Sequence, residues 1–191
     1  MSLKLDKRVT MSDNLCTTFY GGFLMKKFIA LLAVMLVGAG ICFAADPAEG
    51  YWISYDEKTN EATAGWHIWV DNGVLKGEIL SLAGKPQDEK ATAGKGKSYP
   101  DFQNGADLAT VTVVGTQWIW GLTQTKGEGN WGKGYIIDPG SGSKYTCTVT
   151  FHAADGKKYK EDTLEMRGSL GPFGRSQFWK RATKEAASAL R

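Results

Sequence analysis

The chain has no apolar run long enough to cross a bilayer. Its longest, Phe28 to Ile41, is about 14 residues, where a spanning helix needs ~20. What surrounds that run is the anatomy of an export signal: Met25-Lys26-Lys27 ahead of it and Cys42-Phe43-Ala44 behind it. A short basic segment, an apolar segment and a small-x-Ala site together predict a signal peptide over 25–44, cut after Ala44. The mature protein is then periplasmic or secreted. Residues 1–24, of mixed charge and without apolar periodicity, fit badly ahead of Met25 and read as an upstream extension of the natural start. The bulky Ile41 directly before Cys42 argues against a lipid anchor.

Cysteine is scarce too. Of three, Cys16 and Cys42 precede the cut and Cys147 follows it, which excludes an intramolecular disulfide in the mature chain. Cys147 shares a strand face with Tyr145, Val149 and Phe151 and reads as a buried, inert thiol. The two histidines, His67 and His152, have no partner at ligand spacing, so each reads as a hydrogen-bonded strand residue, and no metal or other cofactor is expected. Net charge is missing as well. Five of the 23 basic and two of the 20 acidic residues precede Ala45, leaving 18 of each; a neutral domain argues against nucleic acid and anionic membrane as partners. No H-E-x-x-H, C-x-x-C, G-x-S-x-G or phosphate-cradling glycine loop occurs. No catalytic residue can be named, and Glu161-Asp162, beside a polar turn, read as solvated charges.

What is present is period-two alternation with turn chemistry between segments. Tyr145, Cys147, Val149 and Phe151 alternate with Thr146, Thr148 and Thr150, and Leu164, Met166, Gly168 and Leu170 alternate with Thr163, Glu165, Arg167 and Ser169. Asp155-Gly156 and Asn72-Gly73 supply hairpin turns, and the glycines of 127–134 and Pro139-Gly140 supply others. Strands are expected over 51–55, 64–70, 74–82, 118–123, 132–137, 145–151, 164–170 and 177–181, with 108–114 a strand or an approach to one. Seven to nine short, hairpin-linked strands predict a single all-β antiparallel domain over 45–183, a sandwich or an up-and-down barrel. Residues 83–105 read as one long polar loop and 184–191 as a C-terminal tail, a short helix that carries little apolar surface and is prone to fray.

Several clusters stand out once the strands are placed: Gly50-Tyr51-Trp52, Asp71 to Ile79, Trp131 to Pro139, Gly142 to Tyr145, Leu164 to Gly168 and Arg175 to Arg181. In this order they resemble the bacterial secreted family called domain of unknown function 2147, over nearly the whole mature chain; the resemblance brings no activity with it. A second, looser resemblance is to the lipocalin and calycin barrels. It implies that Gly50 and Trp52 open the barrel and that Trp179 and Arg181 close it, with the cation across the Trp52 indole.

All seven tryptophans follow Ala45. Trp66, Trp118, Trp120 and Tyr135 are expected either to line a cavity for a ring-shaped or apolar ligand or to fill a small barrel completely, since about eight strands leave an interior that side chains can plug. Arg167 or Arg175 would orient an anionic head group at the mouth. The leading reading is a monomeric, non-enzymatic export protein that binds a small apolar or amphiphilic molecule or an envelope component. The alternatives are an interaction or inhibitor-type domain presenting 83–105, and a hydrolase or isomerase whose groups converge only in the fold.

Overall fold

Alternation gives each strand one apolar row, and a set of strands with no second sheet to cover it can bury those rows only by curling them inward. The computed structural model, which describes residues 45–191, has that closure. The signal peptide at 25–44 and the extension at 1–24 lie outside the described residues. The strands are β1 (Gly50–Tyr55), β2 (Ala62–Asp71), β3 (Val74–Leu82), β4 (Gln117–Gln124), β5 (Asn130–Asp138), β6 (Ser143–His152), β7 (Thr163–Leu170) and β8 (Phe173–Ala182). Each pairs antiparallel with the next, and β1 pairs with β8 through Tyr51↔Ala182, Trp52↔Arg181 and Ile53↔Lys180. The segment 108–114 is an approach, with a 3-10 turn over Leu108–Thr110.

The inward rows fill one end. Ile68, Leu75, Leu122, Val149 and Leu164 are fully or almost fully buried there. Cys147 is buried with them; its thiol donates to the Met166 sulfur at 3.2 Å, and burial pushes its pKa up. The rows stay in phase across β3 and β4 because of a bulge. Leu75 faces Leu122 and Gly77 faces Ile119, so Trp120-Gly121 is an extra step on β4, taken with Gly121 at φ +74°.

The barrel floor is closed by the residues ahead of β1. Trp52 is fully buried and donates from Nε1 to the Ala48 carbonyl at 3.0 Å. The Arg181 guanidinium lies 4.2 Å from the Trp52 ring centroid, within cation–π reach. It donates to the Pro47 and Glu49 carbonyls and to Asp162 Oδ2. Gly50 has φ +125°, and a Cβ there would sit 3.0 Å from the guanidinium, so the glycine of the Gly-x-Trp cluster is the seat over which Arg181 reaches. Asp46 ties the same segment to the β4–β5 turn, accepting from Gly129 N and Trp131 Nε1.

Three expectations need correction. Residues 83–105 are not only a polar loop: they make two 3-10 turns and bury Ala91 and Phe102, and with Leu108 and Val113 of the approach the whole connection 83–116 packs against the barrel's outer wall. The tail, expected to carry little apolar surface, docks on the barrel. Helix α1 (Lys184–Ser188) is capped by the Thr183 side chain, and Ala187 is fully buried, its carbonyl accepting from Ser81 Oγ at 2.7 Å. Gly65 makes that docking possible, since a Cβ there would come within 1.7 Å of the Ala187 oxygen. Glu161 and Asp162 are ion-paired, to Lys180 at 3.2 Å and Arg181 at 3.1 Å.

Candidate functional site

The opposite end of the barrel is open. Strand direction puts the β1–β2, β5–β6 and β7–β8 connections there, together with the start of the 83–116 segment. Two adjoining hollows of about 500 and 680 Å³ share Trp66, Asp138, Pro139 and Gln177. They are the inner and outer parts of one mouth. The smaller is apolar, bounded by Ile136, Tyr145, Met166, Leu170 and Phe173. The larger has a mixed lining, with Ala64, Ile79 and Leu82 inside and Asp56, Lys58, Glu61, Lys85 and Glu89 at its edge. The volume of the apolar cup falls within the usual range for small-molecule sites.

Its floor is an indole pair. Trp66 and Trp179 stack at 4.5 Å between centroids with their planes tilted by 23°, and both are almost wholly buried. Trp66 Nε1 donates to Ser54 Oγ at 3.1 Å and Trp179 Nε1 donates to Gln177 Oε1 at 3.2 Å, so neither buried N–H is left unpaired. Above the indoles the inward row turns small: Gly168 pairs with Cys147 on one side and Arg175 on the other, and the room a side chain would occupy there belongs to the cup. Leu170 and Phe173 flank the β7–β8 turn at the lip and are 66% and 80% exposed. Large side chains left in water at the edge of an apolar hollow are the unusual feature of this surface.

Of the residues expected to line a cavity, Trp66 does so. Trp118, Trp120 and Tyr135 do not. Trp120 pairs with Tyr135, whereas their neighbours Ile119 and Ile136 pair on the inward side, so the three rings belong to the outer wall. There Phe102 of the 83–116 segment packs on Trp118 and Trp120 at 5.1 and 5.2 Å, and Trp118 Nε1 donates to the Val113 carbonyl. The Lys144 ammonium sits 4.0 Å from the Tyr135 centroid, 5.5 Å from Trp120 and 5.7 Å from Tyr99, paired with Asp101. This aromatic surplus fastens the segment to the wall; its cation position is filled by the protein's own lysine.

The arginines separate likewise. Arg167 lies on the outward row of β7, opposite Thr148 and Ser176, and does not reach the cup. Arg175 borders it. Residues missed by sequence reasoning are Ile136, Met166 and Gln177 as walls and Leu170 and Phe173 as lip, while Trp179, expected at the barrel closure, is half of the cup's floor. The signal for Leu170-Gly171-Pro172-Phe173 was legible, since two large apolar residues flanking a turn have nowhere to hide.

Both histidines are hydrogen-bonded strand residues, His67 to Glu78 at 3.2 Å and His152 to Glu165 at 3.0 Å. Ser176 also donates to Glu165, at 2.7 Å. The carboxylate stands between serine and histidine, so no base faces the hydroxyl, and the geometry is not that of an activated nucleophile. Burial pushes Glu165 up, but the bonds from His152 and Ser176 outweigh it and hold the carboxyl below its ordinary value.

Comparison with known proteins agrees with this architecture. Residues 50–181 match the profile of a family described as an uncharacterized protein conserved in bacteria, DUF2147. A solved structure, protein HP1028 from Helicobacter pylori, described as belonging to the lipocalin family, superposes with a TM-score of 0.55 at 15% identity, covering 73% of this chain and 85% of that one. At that identity the likeness is one of fold, and the barrel is lipocalin-like. No curated protein matches the sequence.

Proposed function

This chain belongs to the bacterial family DUF2147, which brings a fold and no activity, and from the site itself we propose that it is a non-enzymatic, exported binding protein for a small apolar or amphiphilic molecule. The apolar part enters between Leu170 and Phe173 and rests on the stacked indoles of Trp66 and Trp179. Gln177 and Tyr145 offer it polar groups on the way. The observation that carries this reading is the asymmetry of the interior: one end is packed and pinned, while the other is an apolar cup of about 500 Å³ bounded by exposed hydrophobic side chains. A barrel built only for stability has no use for the exposed lip. Export rests on the sequence around Ala44, and N-terminal sequencing of the native protein tests it: Ala45 is the expected first residue, and lipidated Cys42 would refute it.

The binding reading is tested by titrating the protein that begins at Ala45 with medium-chain fatty acids, alcohols and hydrophobic dyes while following tryptophan emission. Saturable one-to-one quenching is expected. The control variant is Gly168→Leu, which fills the cup; a Cβ at Gly168 would make its nearest contact with Tyr145 Cβ at 3.4 Å, so the fold accommodates it. Binding that survives this substitution, or no binding by the wild type, overturns the reading.

A further inference from the structure

Arg175 lies at the rim of the mouth, where the ends of the neighbouring strands β1 and β8 meet. It stands on the inward row of β8 opposite Gly168, and its guanidinium grips Glu57 of the β1–β2 connection. Nε donates to Oε1 at 3.0 Å and to Oε2 at 3.1 Å, and Nη2 donates to Oε2 at 3.0 Å. The two residues are 118 apart in sequence. This is the planar, bidentate recognition that guanidinium gives to carboxylate and phosphate.

Nothing else in the fold requires Glu57 to be there. The β1–β2 connection holds itself through its neighbour Asp56, whose Oδ1 accepts from Lys58 N and Thr59 N and whose backbone N–H donates to the Glu61 carbonyl. Two other carboxylates near the mouth have other work. Asp138 accepts from Gly140 N and Ser141 Oγ, and Glu89 pairs with Lys85. Glu57 therefore spends its side chain on Arg175 alone, and the Arg175 side chain is 66% exposed. So exposed a pair contributes little to stability and exchanges readily, even though its geometry is that of a well-formed site.

We propose that Glu57 is a resident stand-in for the anionic head of the ligand: the cup takes a single-chain amphiphile with a carboxylate or phosphate head, which displaces Glu57 from Arg175 as its tail settles on Trp66 and Trp179. This rests on the binding reading above and names its ligand class. The tail supplies the apolar contact that Glu57 lacks, so an anionic amphiphile outcompetes the internal carboxylate, whereas a free anion without a tail does not. In the empty protein the pair keeps Arg175 from collecting small anions from the medium and extends the β1–β8 seam at the rim.

The test compares decanoate, decyl phosphate and decan-1-ol on the wild type, Glu57→Gln and Arg175→Gln, by fluorescence titration or calorimetry at fixed salt. Removing the internal competitor is expected to tighten decanoate and decyl phosphate about fivefold, the worth of an exposed ion pair, and to leave decan-1-ol unchanged. Arg175→Gln should bring both anions down to the affinity of the alcohol. Whichever anion binds more tightly to the wild type, and loses more in Arg175→Gln, identifies the head chemistry. Equal affinity of acid and alcohol in all three proteins overturns the head-group role while the cup reading stands, as does equal tightening of acid and alcohol by Glu57→Gln. Failure of acid, phosphate and alcohol alike removes the cup reading and this inference together.

Discussion

The two ends of the barrel are built from the same eight strands and differ in what the connections do. At the floor, residues ahead of β1 fold beneath the strands, and every strong polar group is spent inside the protein. Trp52 bonds Ala48, Arg181 covers Trp52 and bonds two carbonyls and a carboxylate, and Asp46 holds the β4–β5 turn. At the mouth the inward row shrinks to Gly168, the lip exposes Leu170 and Phe173, and the Glu57–Arg175 pair at the rim is largely in water. Strand geometry is common to both ends. Side-chain size and the placement of charge make one end a foundation and the other a receptacle.

The sharpest way to break this contrast is at the floor. Trp52→Ala is expected to cost about 3–5 kcal/mol of stability, the range for emptying an aromatic core site, measured by denaturant unfolding. Arg181→Ala should cost less, about 2 kcal/mol, as it removes a cation–π contact and charge-assisted bonds to backbone carbonyls. The double mutant should fall short of the sum by about 1 kcal/mol, because the two side chains touch. An additive cycle would show that the guanidinium and the indole act separately, and the floor would lose its account.

A smaller effect is expected on the outer wall. The hydrogen bond from Lys144 holds the Asp101 carboxyl below its ordinary value of 3.8. A depressed acid stabilises the folded state fully above that value, and the contribution disappears as pH falls through the lower folded value. Hydrogen exchange over 95–110 should therefore stay slow through mild acid and quicken only below the normal carboxylate range. Asp101→Asn should cost about 0.5 kcal/mol, as half-exposed pairs do, and exchange in that variant should be fast at neutral pH. Unchanged exchange would mean that the aromatic contacts alone hold the segment. Smallest of all for stability is Phe173→Ser at the lip, expected to stay within about 0.5 kcal/mol of wild type while weakening amphiphile binding severalfold. Loss of stability without loss of binding would turn the lip into core.

The walls were legible in the sequence because alternation and turn chemistry are local. The strand expected at Val74–Leu82 is the strand observed, and Asn72-Gly73 and Asp155-Gly156 mark turns. The floor was legible through Gly50, Trp52 and Arg181. What alternation cannot give is which side is inside. Trp118 and Trp120 share a face by spacing, yet that face became buried because Phe102 covers it from outside, and the bulge at Trp120-Gly121 resets the phase between Ile119 and Leu122. The segment 83–105 looked polar because its few large apolar residues are spread through turns rather than strung on a period. The pairing of Glu57 with Arg175 depends on where the β1–β2 connection meets β8 after closure, and no local signal foretells it.

Neighbour-to-neighbour pairing has a consequence for how the molecule forms. Seven of the eight strand pairings join elements adjacent in the chain, and only the β1–β8 seam joins its ends. Hairpins of short loop length close in microseconds, whereas contacts of large sequence separation wait on the entropy of loop closure. The seam is therefore the late step, and Trp52, Arg181 and the residues from Asp46 to Glu49 are the catch that engages last. Until it engages, β1 and β8 are both free edges, so the lifetime of the unsealed ribbon sets the interval in which one copy can add its edge to another.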